Sequence, residues 1–77
     1  MTWNHRLVDV TKENGGDPLI AICEVFYDDN GKPTGYTEPF MSGENMDEIN
    51  NLIERLKEAT KHPILKPEDF LGESNGN

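Results

Sequence analysis

The sequence predicts an α+β fold: a three-stranded antiparallel β-meander followed by one amphipathic α-helix and a short C-terminal tail, in the order β-β-β-α. Three observations carry that expectation. Two runs rich in β-branched, aliphatic and aromatic residues, within 3–10 and 19–27, are separated by turn-forming residues. A hairpin signal, Asp28-Asp29-Asn30-Gly31-Lys32-Pro33, follows the second run. Apolar residues from Met46 to Ala59 then recur at three- and four-residue steps, the period of a helix.

The first strand is expected within "WNHRLVDV", ending at the turn-rich "TKENGGD". The second, "PLIAICEVFY", opens on a proline, which suits a strand's first position, and is apolar on both alternating faces, as a central strand should be. Asp28 at the first position of a type I turn, with Gly31 at the fourth and free to take positive φ, predicts a hairpin closed by a glycine bulge. The third strand is then "TGYTEPF", marked as an edge by Pro39. Asn45 is placed as a helix N-cap with Glu48 three residues on, and Asp47 and Glu48 lie where the helix dipole favours negative charge. Met46, Ile49, Leu52, Ile53, Leu56 and Ala59 form the expected buried stripe, with Arg55 among the outward residues, and Pro63 stops the helix. In the tail, Ile64, Leu65, Phe70 and Leu71 are available to pack, and Pro67 starts a helical turn at "PEDF". A single domain is expected over 1–71 and a disordered tail over 72–77.

Strand registers follow from the turns. If Asp28 faces Lys32, then Phe26 faces Thr34, Val25 faces Gly35, Glu24 faces Tyr36 and Ile20 faces Phe40. An Asn14-Gly15 turn sets Val8 opposite Ala21, Leu7 opposite Ile22, His5 opposite Glu24 and Trp3 opposite Phe26. One face then carries Val8, Val10, Leu19, Ala21, Cys23, Val25 and Gly35, small enough for close approach by the helix. The other carries Trp3, Leu7, Ile20, Ile22, Phe26, Tyr36 and Phe40, with His5 and Glu24 among them. A single helix covers only one face of such a sheet. The remaining aromatic face therefore calls for a homodimer, or for the tail to fold back over it.

Size and charge bound the function. A chain of 77 residues forms one domain with a thin core, burying roughly 60% of its unfolded surface. The lone Cys23 leaves no internal disulfide and reads as a small core residue, and no Cys or His pair stands at metal-ligand spacing. The sequence shows no secretory leader and no membrane-spanning run, and a reducing cytoplasm is the expected compartment. Fifteen acids against seven bases give a net charge of −8, which argues against a nucleic-acid partner. Residues 24–48 hold Glu24, Asp28, Asp29, Glu38, Glu44, Asp47 and Glu48 against Lys32 alone. Such a zone suits a basic protein partner, although surplus acid also keeps a small protein in solution.

Chemistry signals are sparse. "DDNG" does not fit a calcium loop, because counting from Gly31 puts Phe26 and Thr37 where carboxylates are required. His5, Glu24 and Tyr36 would form a row of proton donors and acceptors across three strands, read either as catalytic or as a hydrogen-bonded polar row in an apolar face. No cofactor and no metal are expected. The candidate binding surface comprises Trp3, His5, Glu24, Phe26, Asp29, Tyr36, Glu38 and Phe40.

"WNHR", "EVFYDDNGKPTGYTEPF" and "LKEATKHPIL" resemble a group of small uncharacterised proteins of bacteria and of their viruses, cyanobacterial viruses included. These share a W-N-x-R opening, an E-V-aromatic-Y-D-x-x-G-x-P hairpin and a helix closing on Pro-aliphatic-Leu. The resemblance covers most of residues 3–65 and departs at His5, where the group more often has Tyr. It implies a virus-encoded or virus-associated accessory protein acting in the cytoplasm of its host cell, with no activity, cofactor or catalytic residue to carry over. The expected function is non-enzymatic protein binding as a homodimer. The alternatives are a small enzyme built on the His5, Glu24, Tyr36 row and an antitoxin-like regulator.

Overall fold

A computed structural model describes residues 2–70; Leu71 and the tail over 72–77 lie outside the described residues. Three antiparallel strands, β1 (Thr2–Asp9), β2 (Ile20–Tyr27) and β3 (Pro33–Thr37), form a sheet in sequential order and are followed by one helix, α1 (Met46–Ala59). The α+β class and the element order are those the sequence predicts. Among the described residues no helix is long and apolar enough to cross a membrane.

β1 and β2 pair in the expected register: Trp3 faces Phe26, His5 faces Glu24, Leu7 faces Ile22 and Val8 faces Ala21. Their connection differs from a two-residue Asn14-Gly15 turn. The ladder ends on Val10 N donating to Leu19 O at 3.0 Å, and a single 3-10 turn, Lys12–Asn14, lies between. Gly15 and Gly16 follow with φ of 68° and 92°, left-handed values that favour glycine. The side chains of Asp9 and Thr11 pin this loop, Asp9 Oδ1 accepting from Thr11 N and Thr11 Oγ1 from Leu19 N. Because the loop is centred on the same residues as the expected turn, register survives the change of turn.

The second hairpin closes as Asp28 dictates. Gly31 N donates to Asp28 O at 3.0 Å, Gly31 has φ of 79°, and Asp28 Oδ1 accepts from the amides of Asn30 and Lys32. "DDNG" is turn chemistry. The register beyond it is corrected by one residue: Tyr27 faces Pro33, but Phe26 faces Gly35, Val25 faces Tyr36 and Glu24 faces Thr37. Thr34 is the extra residue, a β-bulge beside Pro33, whose missing N–H cannot serve the ladder; the Thr34 hydroxyl donates to Phe26 O instead. A one-residue slip moves every later side chain to the opposite face. Tyr36 thus joins Val25 and Cys23, and Gly35 joins Phe26. β3 also ends at Thr37, so Ile20 and Phe40 are not cross-strand partners.

Which covering lies on which face is also corrected. The small aliphatic face is sealed by the tail: Val8, Cys23, Val25, Leu65 and Phe70 form the buried cluster, with Val10, Ala21, Tyr27 and Tyr36 packed around it. Leu65 docks as an added strand residue on the free edge of β1, its N donating to Leu7 O at 2.9 Å and its O accepting from Asp9 N at 2.8 Å. A 3-10 turn at Pro67–Asp69, the turn expected at "PEDF", then brings Phe70 against Tyr36, ring centroids 5.0 Å apart. The bulge that placed Tyr36 on this face supplies the ring that receives Phe70. Arg6 clamps the approach, donating from Nη2 to Pro63 O at 2.9 Å.

The helix lies over the other face, against β1. Its start is the one the sequence specifies: Asn45 Oδ1 accepts from Glu48 N at 3.0 Å, and Glu48 Oε1 accepts from Glu44 N, one residue earlier than a standard capping box. Its buried stripe is narrower than expected. Leu52 and Ala59 are buried and Ile49 and Leu56 partly so, whereas Met46 and Ile53 stay 66% and 50% exposed.

Candidate site: two clefts flanking His5

Pairing of β1 with β2 places Trp3, His5, Glu24 and Phe26 on one face, and α1 crosses that face over β1. The helix fills only part of the surface, and a cleft opens on each side of the contact. His5, Trp3 and Arg55 line both. The first cleft, about 400 Å³, is completed by Asn4, Glu58 and His62. The second, about 420 Å³, is walled by Glu24 and Glu48, floored in part by Leu52 and flanked by Phe40.

His5 is the fixed point between them. It is 5% exposed, its ring meets Trp3 edge-to-face with centroids 5.5 Å apart, and its Nε2 has no hydrogen-bond partner among the described residues. Burial holds its pKa below the ordinary value of 6.5, Glu24 pulling it back up and Arg55 pushing it further down. His5 is therefore a neutral imidazole at pH 7, with an unmet polar atom in the floor of an otherwise open site.

The row of His5, Glu24 and Tyr36 is not assembled. His5 and Glu24 are cross-strand neighbours, but Tyr36 lies on the opposite face, where its hydroxyl donates to Glu13. That hydrogen bond, with burial adding to it, pushes the Tyr36 pKa up to about 12, so the phenol stays protonated near neutrality. Glu24 has a different third partner: its Oε2 accepts from Phe40 N at 3.1 Å, folding the chain after β3 back over the sheet. Cys23 is buried, and desolvation, with Glu13 and Glu38 adding, raises its thiol pKa, a setting unlike that of a nucleophile. Among the described residues no three His, Cys, Asp or Glu side chains come together as a metal-binding group.

Of the eight predicted surface residues, the structure gathers Trp3, His5, Glu24 and Phe40 around the clefts, with Phe26 beside Trp3 on the same face. Trp3 is 48% exposed and Phe40 79%. Asp29 and Glu38 are exposed near the two ends of β3, and Tyr36 belongs to the other side of the sheet. Sequence reasoning missed the helix's contribution. Glu48, Arg55 and His62 recur every seven residues, which sets them along one line of α1 and its extension, beside the apolar stripe. That spacing was the available signal, hidden because each residue alone reads as a solvated position.

Searches against protein-family models, curated proteins and solved structures find no match to this chain.

Proposed function

We propose that the protein is a non-enzymatic binding protein that takes a basic, partly apolar segment of another protein into the second cleft. The observation that supports this most is the pairing of apolar and acidic walls there: Trp3, Leu52 and the exposed Phe40 line it with Glu24 and Glu48, two acids against Arg55. The surrounding zone, residues 24–48, holds seven acids and one base, which favours a cationic partner over an anionic one. Exposed aromatic side chains beside a polar rim are the usual anchors of protein interfaces.

The motif resemblance to small bacterial and viral proteins supports an accessory role inside a host cell. Homodimer formation is part of the same reading, since Ile20, Phe40, Met41, Met46 and Ile53 remain exposed on a very small chain. Light scattering on a size-exclusion column checks it: the dimer requires twice the 8.7 kDa chain mass, and a mass of 8.7 kDa at micromolar concentration excludes it.

Trp3 is the chain's sole tryptophan and lines both clefts, so its fluorescence reports occupancy of either, and Phe40, which lines only the second, tells them apart. Peptides alternating Lys or Arg with Leu or Phe should shift Trp3 emission saturably, with affinity falling as salt rises and lost on Phe40→Asp. Equal responses to peptides carrying Glu in place of Lys and Arg would refute the reading.

A further inference from the structure

The first cleft has a different chemistry from the second. Its wall is Trp3, half-exposed and held edge-on by His5. Its polar lining residues are Asn4, His5, Arg55, Glu58 and His62, of which Asn4 turns its side chain to the opposite face, where Oδ1 accepts from the Tyr27 hydroxyl at 2.6 Å. In a chain of net charge −8, Arg55 makes no ion pair or hydrogen bond among the described residues. The one acid lining the cleft is already engaged, because Glu58 Oε2 lies 3.1 Å from Lys61 Nζ. What remains uncompensated is the Arg55 guanidinium, with His62 at the rim and the unpartnered imidazole of His5, more than nine-tenths buried, in the floor.

We propose that this cleft is a binding site for a small aromatic carboxylate, its ring against Trp3 and its carboxylate on Arg55. The guanidinium offers a planar fork of donors matched to the two oxygens of a carboxylate, and a fork not already committed to an internal acid is free to serve a ligand. His62 lines the same cleft, and a ligand oxygen would accept from the unpartnered Nε2 of His5 when that nitrogen carries the imidazole proton. A volume of about 400 Å³ is at the small end of ligand sites and takes one or two fused rings. The Trp3 ring already packs edge-to-face against the buried His5, which reduces the ordering needed on binding. The second cleft shares Trp3, His5 and Arg55 but sets them beside Glu24 and Glu48, whose charges oppose an anionic ligand on that side.

This inference goes beyond the protein-binding reading and fails separately from it. The test uses three ligands of one shape: 2-naphthoate, neutral 2-naphthamide and cationic 2-naphthylmethylamine. Trp3 fluorescence and backbone amide resonances are followed on the whole chain. The acid is expected to saturate and to move the resonances of Trp3, Asn4, Arg55 and His62, with the amide at least about tenfold weaker, as loss of a charge-assisted hydrogen bond requires. Arg55→Gln, on an exposed helix position, should weaken the acid at least about tenfold and leave the amide unchanged, with Arg55→Lys between the two. Glu48→Gln, confined to the other cleft, should retain acid binding. Equal affinity for acid and amide, or an Arg55→Gln variant that binds the acid as wild type does, overturns the proposal. So does the absence of any saturable response to the acid. Preference for the amine also overturns it, while leaving the acid-walled cleft as the binding surface.

Discussion

The two faces of one three-stranded sheet are covered by different means, and the difference separates what stabilises the fold from what is free to bind. On one face the tail inserts Leu65 and Phe70 among Val8, Cys23 and Val25 and buries the cluster, leaving a cleft of about 430 Å³ beside it between Arg6, Tyr27 and Lys32 on the sheet side and Pro63, Leu65 and Asp69 of the tail. On the other, a helix lies over β1 with Leu52 and Ala59 buried, and clefts remain on either side of His5. A tail bound through backbone hydrogen bonds to the β1 edge approaches the sheet more closely than a helix, whose side chains stand between its axis and the strands. The sealed face concentrates the core. The helix-covered face has polar floor residues and exposed rings, which is the composition of an interface.

Removing one phenylalanine from each face tests this division most strongly. Phe70, 7% exposed, packs on Tyr36 in the sealed cluster, and Phe70→Ala should cost about 3 kcal/mol, the low end for a buried ring. Phe40→Ala, on the cleft side, should change stability by less than about 0.5 kcal/mol, as expected of an exposed side chain. Urea unfolding followed by circular dichroism measures both, and similar values for the pair would show that the faces do not divide stability from binding. In a chain of this size a loss of 3 kcal/mol consumes much of the total. Phe70→Ala should therefore be partly unfolded at physiological temperature.

The helix-covered face depends on how the chain enters α1. A Cβ built on Gly43 would meet Glu48 Cβ at 2.8 Å and Ile49 N at 3.2 Å, so the loop passes directly over the first helical turn. Gly43→Ala should cost about 2 kcal/mol by forcing loop and helix apart, a typical overpacking penalty. Losing the cap, Asn45→Ala, should cost less, about 1 kcal/mol, because one amide hydrogen bond is removed with no clash. Both variants should also lower the affinity of basic peptides for the second cleft, since Glu48 lines it; Phe70→Ala measured below its unfolding midpoint should not. Reversal of that order in peptide binding would tie the cleft to the tail rather than to the helix start.

How much of this was legible follows the range of the interactions. The fold class, the cap at Asn45, the turn at Asp28 and the register of β1 with β2 depend on neighbours or on simple alternation, and each was readable. The register of β2 with β3 was not, because Thr34 spends its hydroxyl on Phe26 O beside a proline that cannot pair, a choice no alternation encodes. That slip carried Tyr36 to the other face and dissolved the three-residue polar row. In the tail, the turn at Pro67 and the apolar character of Leu65 and Phe70 are legible, but the edge of β1 that receives Leu65 is a tertiary fact. At the site, strand residues were found and helix residues were not. The helical period places Arg55 in solvent, where the structure has it, but carries no sign that two clefts share it.

Changes of pH act on the two faces differently, since His5 on one and Tyr36 on the other are shifted in opposite directions. His5 has a folded pKa below 6.5, so as pH falls through 6.5 the unfolded chain takes up a proton that the folded chain does not, and stability is lost on the acid side. Tyr36 has a folded pKa of about 12 against 10 unfolded, so the unfolded chain gives up its proton first, and stability is lost as pH rises from 10 to 12. His5→Leu should flatten the slope between pH 7 and pH 5 and leave the alkaline loss intact, whereas Tyr36→Phe should do the reverse. At pH 7 His5→Leu should be neutral or stabilising by under about 1 kcal/mol, because it replaces a buried imidazole with an unpartnered nitrogen by an apolar group of similar size. A destabilisation above 1 kcal/mol at pH 7 would mean that the Nε2 is satisfied in solution, and the floor of the first cleft would then have no unmet polar group to offer a ligand.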